Sequence, residues 1–187
     1  MDKSYIIPKL ETTALLFIDM QEKLLNAMPE NITETIKNQK ILLGAAALLK
    51  LKVIVTEQYP KGLGSTAADL ADIFDSKWPV VEKNTFSCMG EPSVRAELEK
   101  QKIETVVVAG IETHVCVLQT ALDCMLKGYS VILLTDAVNS RKENDKLTAF
   151  KTAESAGITL MTVESLLFML MRTSRHPAFR EISRLLR

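Results

Sequence analysis

A carboxylate, an ammonium and a thiol each stand at the end of a short apolar run. Asp19 follows Ala14-Leu15-Leu16-Phe17-Ile18, Lys83 follows Pro79-Val80-Val81-Glu82, and Cys116 comes soon after Thr105-Val106-Val107-Val108. A thiol is a potential nucleophile. A neighbouring carboxylate can take its proton, and an ammonium can stabilise both anions. The gaps are 64 residues (19 to 83) and 33 residues (83 to 116), so only a fold that gathers strand ends at one edge can unite the three. Each has an ordinary alternative: a buried cysteine packing as a small hydrophobe, an aspartate capping a helix, a solvated lysine. Cys116 carries the most information. A β-branched run, then Gly110, then a helix-compatible stretch reads as strand, turn, helix. That puts the thiol in the first turns of a helix at the carboxyl end of a buried strand, where ligands of open α/β sheets bind. A helix N-terminus is expected there to lower the thiol's pKa.

The elements that must position these groups alternate along the chain. Apolar or β-branched runs predict strands at 14–18, 53–56, 79–82, 105–108, 130–135 and 158–162. Between them, apolar periodicity and end signals predict helices at 32–50, 92–100, from Cys116 to about Lys127, at 144–156 and at 164–171. Residues 59–64 read as a loop, and 177–186 as a final amphipathic helix that packs on the body or crosses to another subunit. Six alternations predict a doubly wound, mainly parallel six-stranded sheet with helices on both faces, in one domain over 1–187.

With 23 basic and 23 acidic residues the net charge is +0, which lends no support to attraction by nucleic acid or an anionic membrane. The chain has three cysteines without paired spacing, Cys88, Cys116 and Cys124, and an odd count favours reduced thiols in a cytoplasmic compartment, mitochondria or another organelle staying open. The segment Met1-Asp2-Lys3-Ser4-Tyr5-Ile6-Ile7-Pro8 does not read as a signal or transit peptide, and no apolar run is long enough to span a bilayer.

Three segments resemble the signature of isochorismatase-like cysteine hydrolases: Phe17-Ile18-Asp19-Met20-Gln21, Glu82-Lys83-Asn84-Thr85-Phe86 and Gly110-Ile111-Glu112-Thr113-His114-Val115-Cys116-Val117. Tyr59-Pro60-Lys61-Gly62-Leu63-Gly64 and His176-Pro177-Ala178-Phe179 are similar to the eukaryotic isochorismatase domain-containing proteins. The resemblance implies that Asp19 deprotonates Cys116, Lys83 stabilises the charges, and the backbone N–H groups of Glu112 and Cys116 hold an oxyanion. It also implies a cis Ile111–Glu112 bond, amide-like or acyl hydrolysis through a thioester, a small-molecule substrate, and a homo-oligomer, dimer or tetramer. The presence of the cysteine argues against vinyl-ether hydrolysis of isochorismate, because siderophore-pathway isochorismatases lack it.

No cofactor is expected, and no metal. The stretch matching the nicotinamidase ligands, Thr56-Glu57-Gln58-Tyr59-Pro60-Lys61-Gly62, has no histidine, and the chain's histidines are His114 and His176 alone. Gln21, Tyr59, Phe86 and Thr113 are expected to line the substrate pocket. Glu112 either walls it, selecting a cationic or polar substrate, or points to solvent. His114 is expected to face away from the thiol, at a helix surface or pocket rim. Cys88 and Cys124 read as structural. Phe168-Met169-Leu170-Met171 fits an oligomer interface. The rival reading is a catalytically idle scaffold. A nuclease is disfavoured by the neutral charge and the lack of a metal cluster or paired histidines.

Overall fold

The computed structural model describes residues 7–29 and 31–187, so the expectation for residues 1–6 lies outside them. In chain order the elements are β1 (Thr13–Ile18), α1 (Glu22–Leu25), α2 (Ile32–Leu49), β2 (Lys52–Gln58), α3 (Pro60–Leu63), α4 (Ala68–Ala71), β3 (Val80–Lys83) and α5 (Pro92–Lys100). Then come β4 (Thr105–Ile111), a π-helical turn (Thr113–Val117), α6 (Leu118–Leu126), β5 (Ser130–Asn139), α7 (Glu143–Ala156), β6 (Thr159–Met161), α8 (Val163–Met171) and α9 (Phe179–Leu185).

All strand pairs are parallel, in the order β3-β2-β1-β4-β5-β6. Side chains alternate across a strand, so each buried strand feeds two cores. Leu15, Phe17, Val53, Val55, Val107 and Ile132 face α2, α8 and α9. Leu16, Ile54, Val106, Val108 and Leu133 face α5, α6 and α7. This is the doubly wound three-layer α/β architecture that the alternation implied. The chain winds outward from β1 and then restarts at β4. The point where its direction reverses therefore lies between these two strands, which is where such sheets open a crevice.

Three expectations change in detail. Residues 59–64 contain a helical turn, α3, because Pro60 presets its first residue. β4 continues beyond Val108 to Ile111, pairing Gly110 with Ile18 and, after a register shift, with Val138. Leu170 and Met171 enter the chain's own core, as does Ile182 of α9, leaving Phe168 as the exposed apolar residue of α8. The final helix therefore packs on its own body, chiefly on α2.

Gly110 is dictated by a close approach. It has φ +123, and a Cβ there would stand 2.0 Å from the Ile18 carbonyl oxygen. No L side chain fits this backbone or this gap. Gly110→Ala is expected to destabilise the fold by about 3 kcal/mol, lowering the melting temperature by roughly 6–12 °C. An unchanged melting curve would show that β1 and β4 can separate without cost.

Candidate active site

β1, β3 and the π turn deliver their polar residues to one point beside the crevice. Asp19 follows β1 in a left-handed conformation, φ 54, which aspartate tolerates better than most residues. Its side chain is fully buried. Lys83 is the last residue of β3 rather than the first beyond it, also buried, with Nζ 2.7 Å from Asp19 Oδ2. Cys116, in the π turn, is 7% exposed and lies close enough to Asp19 for the carboxylate to act on its thiol. The structure thus brings the carboxylate, ammonium and thiol together.

The residues that hold them carry no signal of their own in the sequence. β2 runs between β1 and β3, so its end reaches both. Thr56, opposite Ile18, donates its hydroxyl to Asp19 Oδ1 at 2.8 Å. Gln58, opposite Lys83, accepts from Nζ at 2.6 Å. The Gln58 amide is oriented by its Nε2 donating to the Asn84 carbonyl at 3.0 Å. Lys83 also donates to the Thr85 and Phe86 carbonyls at 3.2 and 3.1 Å. With Asp19, that makes four acceptors for three hydrogens, so the ammonium is a fixed charge rather than a mobile donor.

Gln21 does not line a pocket as expected. It is buried, its Oε1 accepts from the Gln58 N–H at 2.7 Å, and its Nε2 donates to the Gln58 carbonyl at 3.0 Å and to the Gly64 carbonyl. It pins the end of β2 and the turn after it. Thr113 is likewise fully buried, without a hydrogen-bond partner for Oγ1 among the described residues. Tyr59 and Phe86 are 54% and 55% exposed at the same sheet edge. The Tyr59 N–H donates to the Lys83 carbonyl at 2.8 Å.

Electrostatics overturn one expectation. Burial pushes the Cys116 thiol up from 9.0 to about 12; the Asp19 charge and hydrogen bond add to the rise, and Lys83 opposes it. The helix-end effect does not win, because the thiol is desolvated beside an anion. Burial also raises the Asp19 carboxyl above its ordinary 3.8, against the charge of Lys83 and hydrogen bonds from Lys83, Thr56 and Cys116. For Lys83, burial acts downward, but the charges of Asp19 and Cys116 prevail and hold it protonated. The resting site is therefore a thiol leaning on a carboxylate of raised proton affinity.

Around this centre, the Ile111–Glu112 bond is cis. Glu112 does not point freely to solvent: its carboxylate accepts from Arg141 Nε at 3.0 and 3.1 Å and from the Arg141 N–H at 3.0 Å. His114 turns to the other side, with Nδ1 3.0 Å from Ser140 Oγ and Nε2 3.8 Å from Asp145 Oδ2. It rims a shallow cavity of about 310 Å³ with Leu118, Asn144 and Thr148. Cys124 is buried in the core. Cys88 is nearer the chemistry than a structural reading suggests. Its Sγ is 3.6 Å from Thr56 Oγ1, and burial and then the Asp19 charge push its thiol up to about 11. Among the described residues no group of three or more His, Cys, Asp or Glu side chains could hold a metal ion. Nor is any helix among them long and apolar enough to cross a membrane.

The isochorismatase domain matches residues 13–165. Isochorismatase family protein 1B of Dictyostelium discoideum is 36% identical over 180 residues, covering 95% of this chain and 86% of its own. The solved structure of MAR1 ribonuclease from Caenorhabditis elegans superposes with a TM-score of 0.90 at 38% identity, covering 96% of this chain and 91% of that one. YcaC from Escherichia coli, described as an octameric hydrolase of unknown specificity, shares the fold at a TM-score of 0.85 and 22% identity, covering 96% of each chain. A doubly wound sheet with Asp19 and Cys116 at its crevice, and these similarities over nearly the full length, establish that the chain belongs to the isochorismatase family, with its hydrolase fold.

Proposed function

We propose that the protein is a metal-independent cysteine hydrolase that cleaves an amide-like or acyl bond in a small molecule. The observation that carries this reading is the buried Asp19–Lys83 pair at 2.7 Å, with the buried Cys116 thiol close enough for both charges to act on it. Asp19 takes the thiol proton as sulfur attacks the carbonyl carbon. The N–H groups of Glu112 and Cys116 receive the oxyanion. Collapse breaks the bond to the leaving group, which takes the proton from Asp19 and leaves an acyl thioester on Cys116. Asp19 then deprotonates water, the hydroxide attacks the thioester, the acid departs and the thiol is restored. Lys83 holds the net charge near zero throughout. Metal independence rests on the donor set, since the stretch 56–62 has no histidine. The exposed Tyr59 and Phe86 at this edge of the sheet suit a covering second subunit, so a homo-oligomer is part of the proposal.

A screen of small amides and esters against the wild-type protein and Cys116→Ala tests it. Turnover should fall about 10³-fold or more in the variant. Mass spectrometry should find the acyl group on Cys116. Full activity in Cys116→Ala, or an adduct elsewhere, would sink the proposal.

A second reading rests on the likeness to MAR1 ribonuclease. The neutral net charge speaks against RNA as the substrate. RNA cleavage by pure protein, lost in Asp19→Asn, would decide in its favour.

A further inference from the structure

If the site is that of a cysteine hydrolase, its charges also say what it accepts. At the carboxyl edge of the sheet, each ionisable side chain that is not exposed already has a partner. Asp19 is held between Lys83 and Thr56, with the Cys116 thiol on the same carboxylate. Lys83 has its hydrogens directed at Asp19, Gln58 and two carbonyls. Glu112 is turned to Arg141, and the Glu57 carboxylate accepts from the Thr66 N–H and hydroxyl at 2.6 and 2.9 Å. Asp136 accepts from the Val163 N–H at 2.9 Å, at the start of α8. Of the rim cations, Arg141 is neutralised by Glu112, Lys23 donates to the Gly62 carbonyl at 2.7 Å, and Lys61 is exposed to water.

The buried pair cancels to zero and directs its hydrogen-bonding atoms at the protein. An ionised substrate group entering beside Cys116 would lose its hydration and meet no counter-charge, which is strongly unfavourable. An uncharged carbonyl compound needs only backbone donors for its oxygen. Its apolar flank would meet Tyr59 and Phe86. We propose that the substrate is uncharged over the part that enters the site: a neutral amide or ester, not a carboxylate or an ammonium compound.

Alkylation of Cys116 in the full chain provides the test, without knowledge of the substrate. Rates with iodoacetamide, iodoacetate and 2-bromoethylamine are read by mass spectrometry. Each is divided by the rate of the same reagent with 2-mercaptoethanol. The normalised iodoacetamide rate should exceed both charged reagents by about tenfold or more. A normalised rate for iodoacetate or bromoethylamine equal to or above that of iodoacetamide would overturn the inference alone. A Cys116 that reacts with none of the three would overturn the cysteine-hydrolase reading, and this inference with it.

Discussion

Asp19→Asn is expected to make Cys116 more reactive toward alkylating agents while abolishing turnover. Burial is the largest cause of the thiol's rise to about 12, and the charge and hydrogen bond of Asp19 are the next contributions in the same direction. Removing the charge leaves Lys83 as the nearest ion, and Lys83 favours thiolate. The thiol pKa should therefore fall, and iodoacetamide labelling at about pH 8 should quicken. Hydrolysis should move the other way, by roughly 10²–10⁴-fold, because the group that takes the thiol proton and returns it to the leaving group is gone. Asparagine keeps one oxygen for Lys83 and can turn its amide NH2 to the Thr56 hydroxyl, which then accepts, and thermal melting would verify that the variant is folded. Slower labelling in a folded Asp19→Asn protein would mean that the carboxylate activates the thiol at rest, and that its charge does not raise the thiol pKa. The same opposition of effects explains how a desolvated thiol can be a nucleophile. The proton need only shift to a neighbouring carboxylate whose own affinity burial has raised, and Lys83 is already placed to hold the thiolate.

Alkaline unfolding is the second large effect. All three cysteines are buried, with thiols pushed up from 9.0: Cys88 to about 11, Cys116 to about 12, and Cys124 in the same direction through burial. The unfolded chain releases these protons near pH 9, whereas the folded chain keeps them. The stability tied to the thiols is therefore complete below pH 9 and drains as pH rises toward the folded values. The loss is about 1.4 kcal/mol per pH unit for each thiol, or roughly 4 kcal/mol per unit while all three are engaged. Set against a typical total of about 5–15 kcal/mol, a protein at the low end would unfold a little above pH 10 and one at the high end only well above pH 11. Urea titrations at pH 8, 9 and 10 would measure the slope. Cys124→Ala, distant from Asp19 and Lys83 in the contacts that shift its thiol, should remove about a third of it. A stability independent of pH between 8 and 10 would contradict the burial of these groups.

Periodicity determined the layers. A run such as Ala14-Leu15-Leu16-Phe17-Ile18 has no polar face, so it must be covered on both sides, and that alone demands helices above and below a parallel sheet. The strand-end positions of Asp19, Lys83 and Cys116 were legible for the same reason, since an apolar run that stops at a functional group marks the edge of the sheet. The identity of the neighbours was not legible. Thr56 and Gln58 lie on β2, and nothing local to Thr56-Glu57-Gln58 says that β2 runs between the strands bearing Asp19 and Lys83. Nor does local sequence reveal that Gln21 and Glu112 turn inward to Gln58 and outward to Arg141, because hydrogen-bond partners 37 and 29 residues away are set by the packed chain. The thiol's pKa followed the same rule. Sequence located Cys116 at a helix start, which argues for a lowered value; burial beside an anion, a property of the packed chain alone, reversed the sign.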